Sequence, residues 1–290
     1  MKNHTFGKTN KPTSRLGFGS WQLGNTDFWG YMSYDDGIRL VKKAIDKGIT
    51  FFDTAPGYAA GMSETIIGEA TQGKKNDIII NTKLGHMADG SIDFSVSSLE
   101  EQVYESLERL QVDSIDSVLL HNPDMSILTN QTEHMEELEL LKSQGLIKSY
   151  GVSIDTYEEL EAVINHLKVD TVEILFNIFF QSCIPLFKKA KEKGISLIAK
   201  VPLDSGWLTG KYHKDSEFEG IRSRWDIETI ERRGALVEKL KEITHDEKLT
   251  KYAIGFILSF EEIDVVIPGI KNFEQLEDHI KNVNYELPES

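Results

Sequence analysis

Short apolar runs alternate along the chain with longer stretches in which apolar residues return every three or four positions. The runs at 16–18, 50–53, 78–82, 115–120, 148–152, 171–175, 196–199 and 265–267 are rich in β-branched and aromatic residues and predict eight strands. Between them, sets such as Ile38, Val41, Ala44 and Ile45, or Leu99, Val103, Leu107 and Leu110, predict amphipathic helices. Lys47-Gly48, Gln144-Gly145 and Lys193-Gly194 are helix-ending signals placed just before the second, fifth and seventh strands. Strand–helix alternation makes the strands parallel, and eight units in a chain of 290 residues predict an α/β fold, a (β/α)8 TIM barrel. About the first 15 residues are turn-rich and predict a short hairpin outside the repeat.

A doubly wound dinucleotide-binding sheet is the competing architecture, but GFGSWQ at 17–22 lacks the third glycine of its fingerprint, and no GxxxxGK[ST] loop occurs. No low-complexity linker divides the chain, so one domain over residues 1–290 is expected. Lys and Arg number 32 against 47 Asp and Glu, so the net charge of −15 opposes a polyanionic partner and argues against nucleic acid. A small anion remains possible where a few basic residues gather. Cys183 is the only cysteine, which rules out an internal disulfide and fits a reducing compartment. No segment has the apolar length of a membrane span and no secretory h-region is visible, so a soluble cytoplasmic protein is expected.

Polar residues stand just beyond the apolar runs: Asp53, Lys83, His121, Ser153 and Lys200, with Gln181 a few residues past the sixth. Any one of them alone reads as a cap or a core hydrogen-bonder. Together they suit the C-terminal face of a barrel, where active sites are assembled. In FFDTAPGY, at 51–58, Pro56 and Gly57 turn the chain back over that mouth and bring Tyr58 near Asp53. Lys83 is expected to pair with Asp53 and to lower the tyrosine's pKa by favouring phenolate, while His121 holds a substrate oxygen that the tyrosine protonates. There is no HExxH helix, thiolate cluster or GxSxG elbow, which leaves no case for a metal or for a serine hydrolase.

LGFGSWQLG, FFDTAPGY, the lysine of IINTKLG and the histidine of SVLLHNPD, in that order, resemble the aldo-keto reductase superfamily from about Arg15 to His279. The resemblance implies a catalytic tetrad of Asp53, Tyr58, Lys83 and His121, with Tyr58 the general acid in carbonyl reduction. It implies cofactor contacts from Gly19, Ser20, Trp21 and Lys200, and contacts to the nicotinamide carboxamide from Ser153 and Gln181. Pro202, Leu203, Ser205 and Gly206 would close over the pyrophosphate, and Gly269, Lys271, Gln275 and His279 would grip the adenosine end. Three positions depart from the family: Ile154 and His279 where asparagine is usual, and Lys200 where many members carry an aromatic ring.

Lys271, helped by Arg222 or Arg224, favours NADP(H) over NAD(H). Trp21, Phe28, Trp29 and Tyr31 follow the first strand, and Trp207 and Trp225 the seventh. Trp21 and Trp29 are the expected walls of a pocket for a small carbonyl substrate. The expected function is reduction of an aldehyde or ketone. Oxidation of an aldose or alcohol by the same residues, an NADPH-binding regulatory subunit with little turnover, and a cofactor-free isomerase stay open.

Overall fold

A computed structural model describes residues 3–9, 11–25 and 29–287. The strands are β1 (Asn3–Phe6), β2 (Lys11–Ser14), β3 (Phe18–Gly19), β4 (Phe51–Asp53), β5 (Ile79–Leu84), β6 (Ser117–His121), β7 (Tyr150–Ile154), β8 (Thr171–Leu175), β9 (Ser196–Lys200) and β10 (Ile263–Val266). The helices are α1 (Tyr34–Asp46), α2 (Met62–Ala70), α3 (Leu99–Leu110), α4 (Met125–Leu128), α5 (His134–Ser143), α6 (Tyr157–His166), α7 (Ile184–Glu192), α8 (Ile227–Thr244), α9 (Thr250–Leu258) and α10 (Phe273–Asn282).

Strands β3 to β10 form one sheet in sequence order, each parallel to the next. Parallel bridges from Leu16 to Val266 and from Gly19 to Gly269 join its two edges, so the sheet closes into the expected (β/α)8 barrel. At this seam Gly19 has no room for a side chain, because a Cβ there would lie 2.8 Å from Ile267 O. Gly151 is tighter still: a Cβ would meet Thr171 O at 1.8 Å, so only glycine lets β7 approach β8.

Most of the apolar core lies between the sheet and the helices. A second cluster of Phe6, Phe51, Ile79, Ile198, Val265 and Ile267 fills the barrel's interior. Phe6 comes from the antiparallel β1–β2 hairpin and packs edge-on against Phe51 at 4.9 Å, so the predicted hairpin plugs the N-terminal end. Among the described residues, no helix is long and apolar enough to cross a membrane.

Candidate active site

Side-chain alternation along the strands decides what reaches the open end. Phe51, Ile79 and Ile198 point into the barrel, so Asp53, Asn81 and Lys200, two residues on, point inward one level higher. Lys83 follows on β5 at the same parity. The register pairs His121 with Ser153, and Ser153 with Glu173, which brings β6, β7 and β8 into the same ring.

Tyr58 comes from a loop. A turn over Ala55–Tyr58, closed by Tyr58 N donating to Ala55 O at 3.1 Å, has Pro56 and Gly57 at its centre. The next three residues, Ala59, Ala60 and Gly61, all have left-handed backbone, with φ of 51°, 52° and 84°. For the two alanines this costs about 1–2 kcal/mol each. Ala60→Gly is therefore expected to raise unfolding free energy by about 1 kcal/mol and to slow turnover by loosening Tyr58. Urea titration checks the first part; a less stable variant would refute the strain argument.

Beneath the tyrosine, Ser63 Oγ lies 2.8 Å from Ser20 Oγ and 2.9 Å from Thr54 Oγ1 and donates to Ser20 O at 3.1 Å. Ser20 N donates to Asp53 O at 3.1 Å. This buried hydroxyl cluster ties the loop after β3, the end of β4 and α2 into one support.

Lys83 is wholly buried. Its Nζ donates to Asp53 Oδ1 at 2.6 Å and to Thr54 O at 3.1 Å, and stands 3.3 Å from Glu173 Oε2. Asn81 Nδ2 also donates to Asp53 Oδ1, at 2.7 Å. Burial alone would strip the lysine of its proton, but Asp53 and Glu173 more than reverse this and hold it firmly charged. Burial and the neighbouring Glu173 push Asp53 up to about 7, against the pull of Lys83 and Asn81. Both partners rise because two buried carboxylates share one ammonium, and the set is short of positive charge.

Lys83 Nζ is 5.4 Å from the Tyr58 ring centroid and acts on the phenol as a charge that favours phenolate. Its pull is outweighed, however: burial first, then Asp53 and Glu173, raise Tyr58 above its ordinary value. The expected lowering is thus corrected to a net rise, and Tyr58 is protonated at neutral pH. His121 lies well below its usual value through burial and the nearby Lys83, Lys200 and His86, so its imidazole is neutral. Its ring is 6.3 Å from that of Tyr58 and 4.7 Å from that of His86. The four sequence-predicted tetrad residues are therefore together at one mouth.

Trp21 stands 6.1 Å from the Tyr58 ring and 5.2 Å from Trp29, so one expected pocket wall lies beside the phenol and the second packs on the first. Arg222 from the loop after β9 stacks on Trp29 at 4.6 Å and on Tyr212 at 5.6 Å. Tyr31 is exposed at the rim of a recess of about 260 Å3 that also includes Gln22, Trp29 and Lys271. Trp207 is buried in a cluster with Tyr212, Phe218 and Trp225. Phe28 lies outside the described residues.

The other expected binding residues divide. Ser153 Oγ donates to Glu173 Oε1 at 3.1 Å and accepts from Lys200 Nζ at 2.9 Å. Lys200 also donates to Asn122 Oδ1 at 3.1 Å and pairs with Asp155 at 2.8 Å. After Pro202 and Leu203 the backbone turns left-handed at Asp204, Ser205 and Gly206. Arg222 Nε donates to Ser205 O at 3.0 Å and Arg224 Nη2 to Ser205 Oγ at 3.3 Å, while Arg233 grips Asp204 at 2.6 and 3.3 Å. Successive left-handed residues beside the Arg222 and Arg224 guanidinium groups are of the kind that could hold an anion, while Arg233 is neutralised by Asp204.

Gly269 lies across the seam from Gly19, with the buried His279 beside its backbone. Gln275 Oε1 accepts from Lys271 N at 3.0 Å at the start of α10, which leaves the Lys271 side chain exposed. Gln181 follows a turn closed by a bridge between Asn177 and Phe180 and is exposed, with Nε2 donating to Ile178 O at 2.7 Å. Besides Lys200, Ser153 meets Glu173, which the sequence reading overlooked. Ile154 is buried toward the helices, on the other face of the sheet from the mouth.

Residues 15–290 match the sequence profile of the Aldo/keto reductase family. The L-galactose dehydrogenase of Arabidopsis thaliana is 28% identical, over 96% of this chain and 86% of that one. The NADH-specific methylglyoxal reductase of Escherichia coli is 25% identical, over 100% and 96%. The holo form of an aldo-keto reductase from Bacillus halodurans superposes with a TM-score of 0.82 at 25% identity, covering 99% of this chain and 93% of that one.

Proposed function

The chain belongs to the aldo/keto reductase family, an oxidoreductase family that uses nicotinamide cofactors, and from that premise we propose that it reduces a small aldehyde or ketone with NADPH, Tyr58 acting as general acid. The observation that carries this reading is the mouth-facing set of protonated Tyr58, buried charged Lys83 and neutral His121. Residues suited to a dinucleotide are also present. The left-handed loop at Ser205 with Arg222 and Arg224 suits a diphosphate.

When bound, the reduced nicotinamide supplies a hydride to the carbonyl carbon. The protein's part is at the oxygen. Tyr58 and the neutral imidazole of His121 hold it, and Tyr58 gives up its hydroxyl proton as negative charge develops there. Lys83 stabilises the phenolate that is left, and Asp53 fixes the direction of Lys83 through the 2.6 Å bond. Trp21 and Trp29 shield the carbonyl from water. The test is consumption of NADPH by the purified protein with a reactive aromatic aldehyde. Cofactor binding without turnover would favour the regulatory-subunit reading instead.

The preference for NADPH rests on Lys271 at the start of α10, where an exposed ammonium and helix N–H groups favour a phosphate. The E. coli relative, named as NADH-specific, marks the alternative. Lys271→Ala is expected to weaken NADPH binding by about tenfold and NADH binding far less. Equal losses for both in a fluorescence titration would remove the assignment of Lys271 to the 2′-phosphate.

A further inference from the structure

Glu173 has no part in the scheme above, yet it is a carboxylate inside the barrel with 2% of its surface exposed. Its Oε1 accepts from Ser153, while Oε2 has no aligned hydrogen bond and faces Lys83 at 3.3 Å. Lys83 already neutralises Asp53 at 2.6 Å. The next cation, Lys200, reaches Glu173 only through Ser153 Oγ and is itself paired with Asp155 at 2.8 Å. Asp53, Glu173 and Lys83 therefore carry one excess negative charge when both acids are ionised. That charge is buried beside Ser153 and Lys83, where water screens it poorly.

The nicotinamide ring has two charge states. It is cationic when oxidised and neutral when reduced. Since the hydride must reach a carbon whose oxygen is held by Tyr58 and His121, the ring has to lie at this mouth. We infer that Glu173 is a specificity-determining residue whose buried carboxylate makes the site prefer the oxidised over the reduced cofactor. The inference rests on the nicotinamide dependence proposed above. In a mixed pool, such a site loads with the form that accepts a hydride from an alcohol. The elevated Asp53 agrees with this, because a carboxylate pair that holds an extra proton is the response of a site short of one positive charge.

The test compares dissociation constants of NADP+ and NADPH, by calorimetry and fluorescence, in the wild type and in Glu173→Gln. Glutamine keeps the shape and the acceptor for Ser153 and removes the charge. The ratio Kd(NADP+)/Kd(NADPH) is expected to rise on the order of tenfold in the variant. A purely structural role would weaken both forms by the same factor, and an equal change, or none, overturns the inference. A wild type that binds neither form would instead overturn the cofactor reading beneath it.

Should the variant not fold, the wild type still decides. Binding heats measured in two buffers of different ionisation enthalpy are expected to show proton release with NADP+ in excess of that with NADPH. The groups around Glu173 that bear on this are Asp53 on β4, Tyr58, Lys83 on β5 and Lys200 on β9. Equal proton release with both cofactors would refute the charge preference.

Discussion

Tyr58→Phe is expected to lower kcat/KM for aldehyde reduction by about a thousandfold while leaving the dissociation constant of NADPH within about twofold of the wild type. The hydroxyl is the only part removed, and the ring contacts to Trp21 and His121 survive in phenylalanine. The pocket therefore keeps its walls and loses its acid. His121 is a poor substitute: burial and the cations around it hold it neutral, and a neutral imidazole gives up its remaining proton far less readily than a phenol. Stopped-flow turnover beside a fluorescence titration of NADPH separates the outcomes. Retained activity would make a water or His121 the acid, and lost cofactor binding would make Tyr58 a structural residue.

The barrel was legible because its pattern is periodic. All eight predicted strands lie in or against the sheet, with ends displaced by at most two residues. The displacement has chemical content, since β5 extends to Leu84 and β6 to His121, so Lys83 and His121 are strand residues held by the ladder and not by loop. Asp53, Lys83 and His121 could be read because each follows an apolar run, and Tyr58 because a Pro-Gly turn carries it back toward Asp53. Glu173 was missed because only the residues beyond the runs were searched, while it lies within one, in TVEIL. Strand parity would have found it: Thr171 and Glu173 face inward, Val172 and Ile174 face the helices.

The net effect on Tyr58 was beyond the sequence for a different reason. Its sign depends on a balance between burial, one ammonium and two carboxylates, and pattern reveals which groups meet but not how deeply each is desolvated.

Lys83→Met tests the same balance through stability. Methionine approximates the lysine's stem, so little volume is lost, but Asp53 and Glu173 are then left with no countercharge inside the barrel. Asp53 keeps only the Asn81 bond at 2.7 Å and Glu173 only the Ser153 bond at 3.1 Å. Breaking a buried ion pair from one side typically costs about 3–5 kcal/mol, and that is the loss of unfolding free energy expected near neutral pH.

The cost should depend on pH with a definite sign. Unfolded carboxylates titrate near 3.8, whereas Asp53 is already pushed up to about 7 with Lys83 in place, and removing the ammonium raises it further. Across that window the folded variant binds more protons than the unfolded chain, so its stability falls as pH rises. Urea titrations at about pH 5 and about pH 8 should show the larger deficit at the higher pH. Asp53→Asn in the same background should recover part of it, because one of the two uncompensated charges is gone. A deficit that does not change with pH would mean that the lysine acts through packing, and the shared-charge account of this site would fail with it.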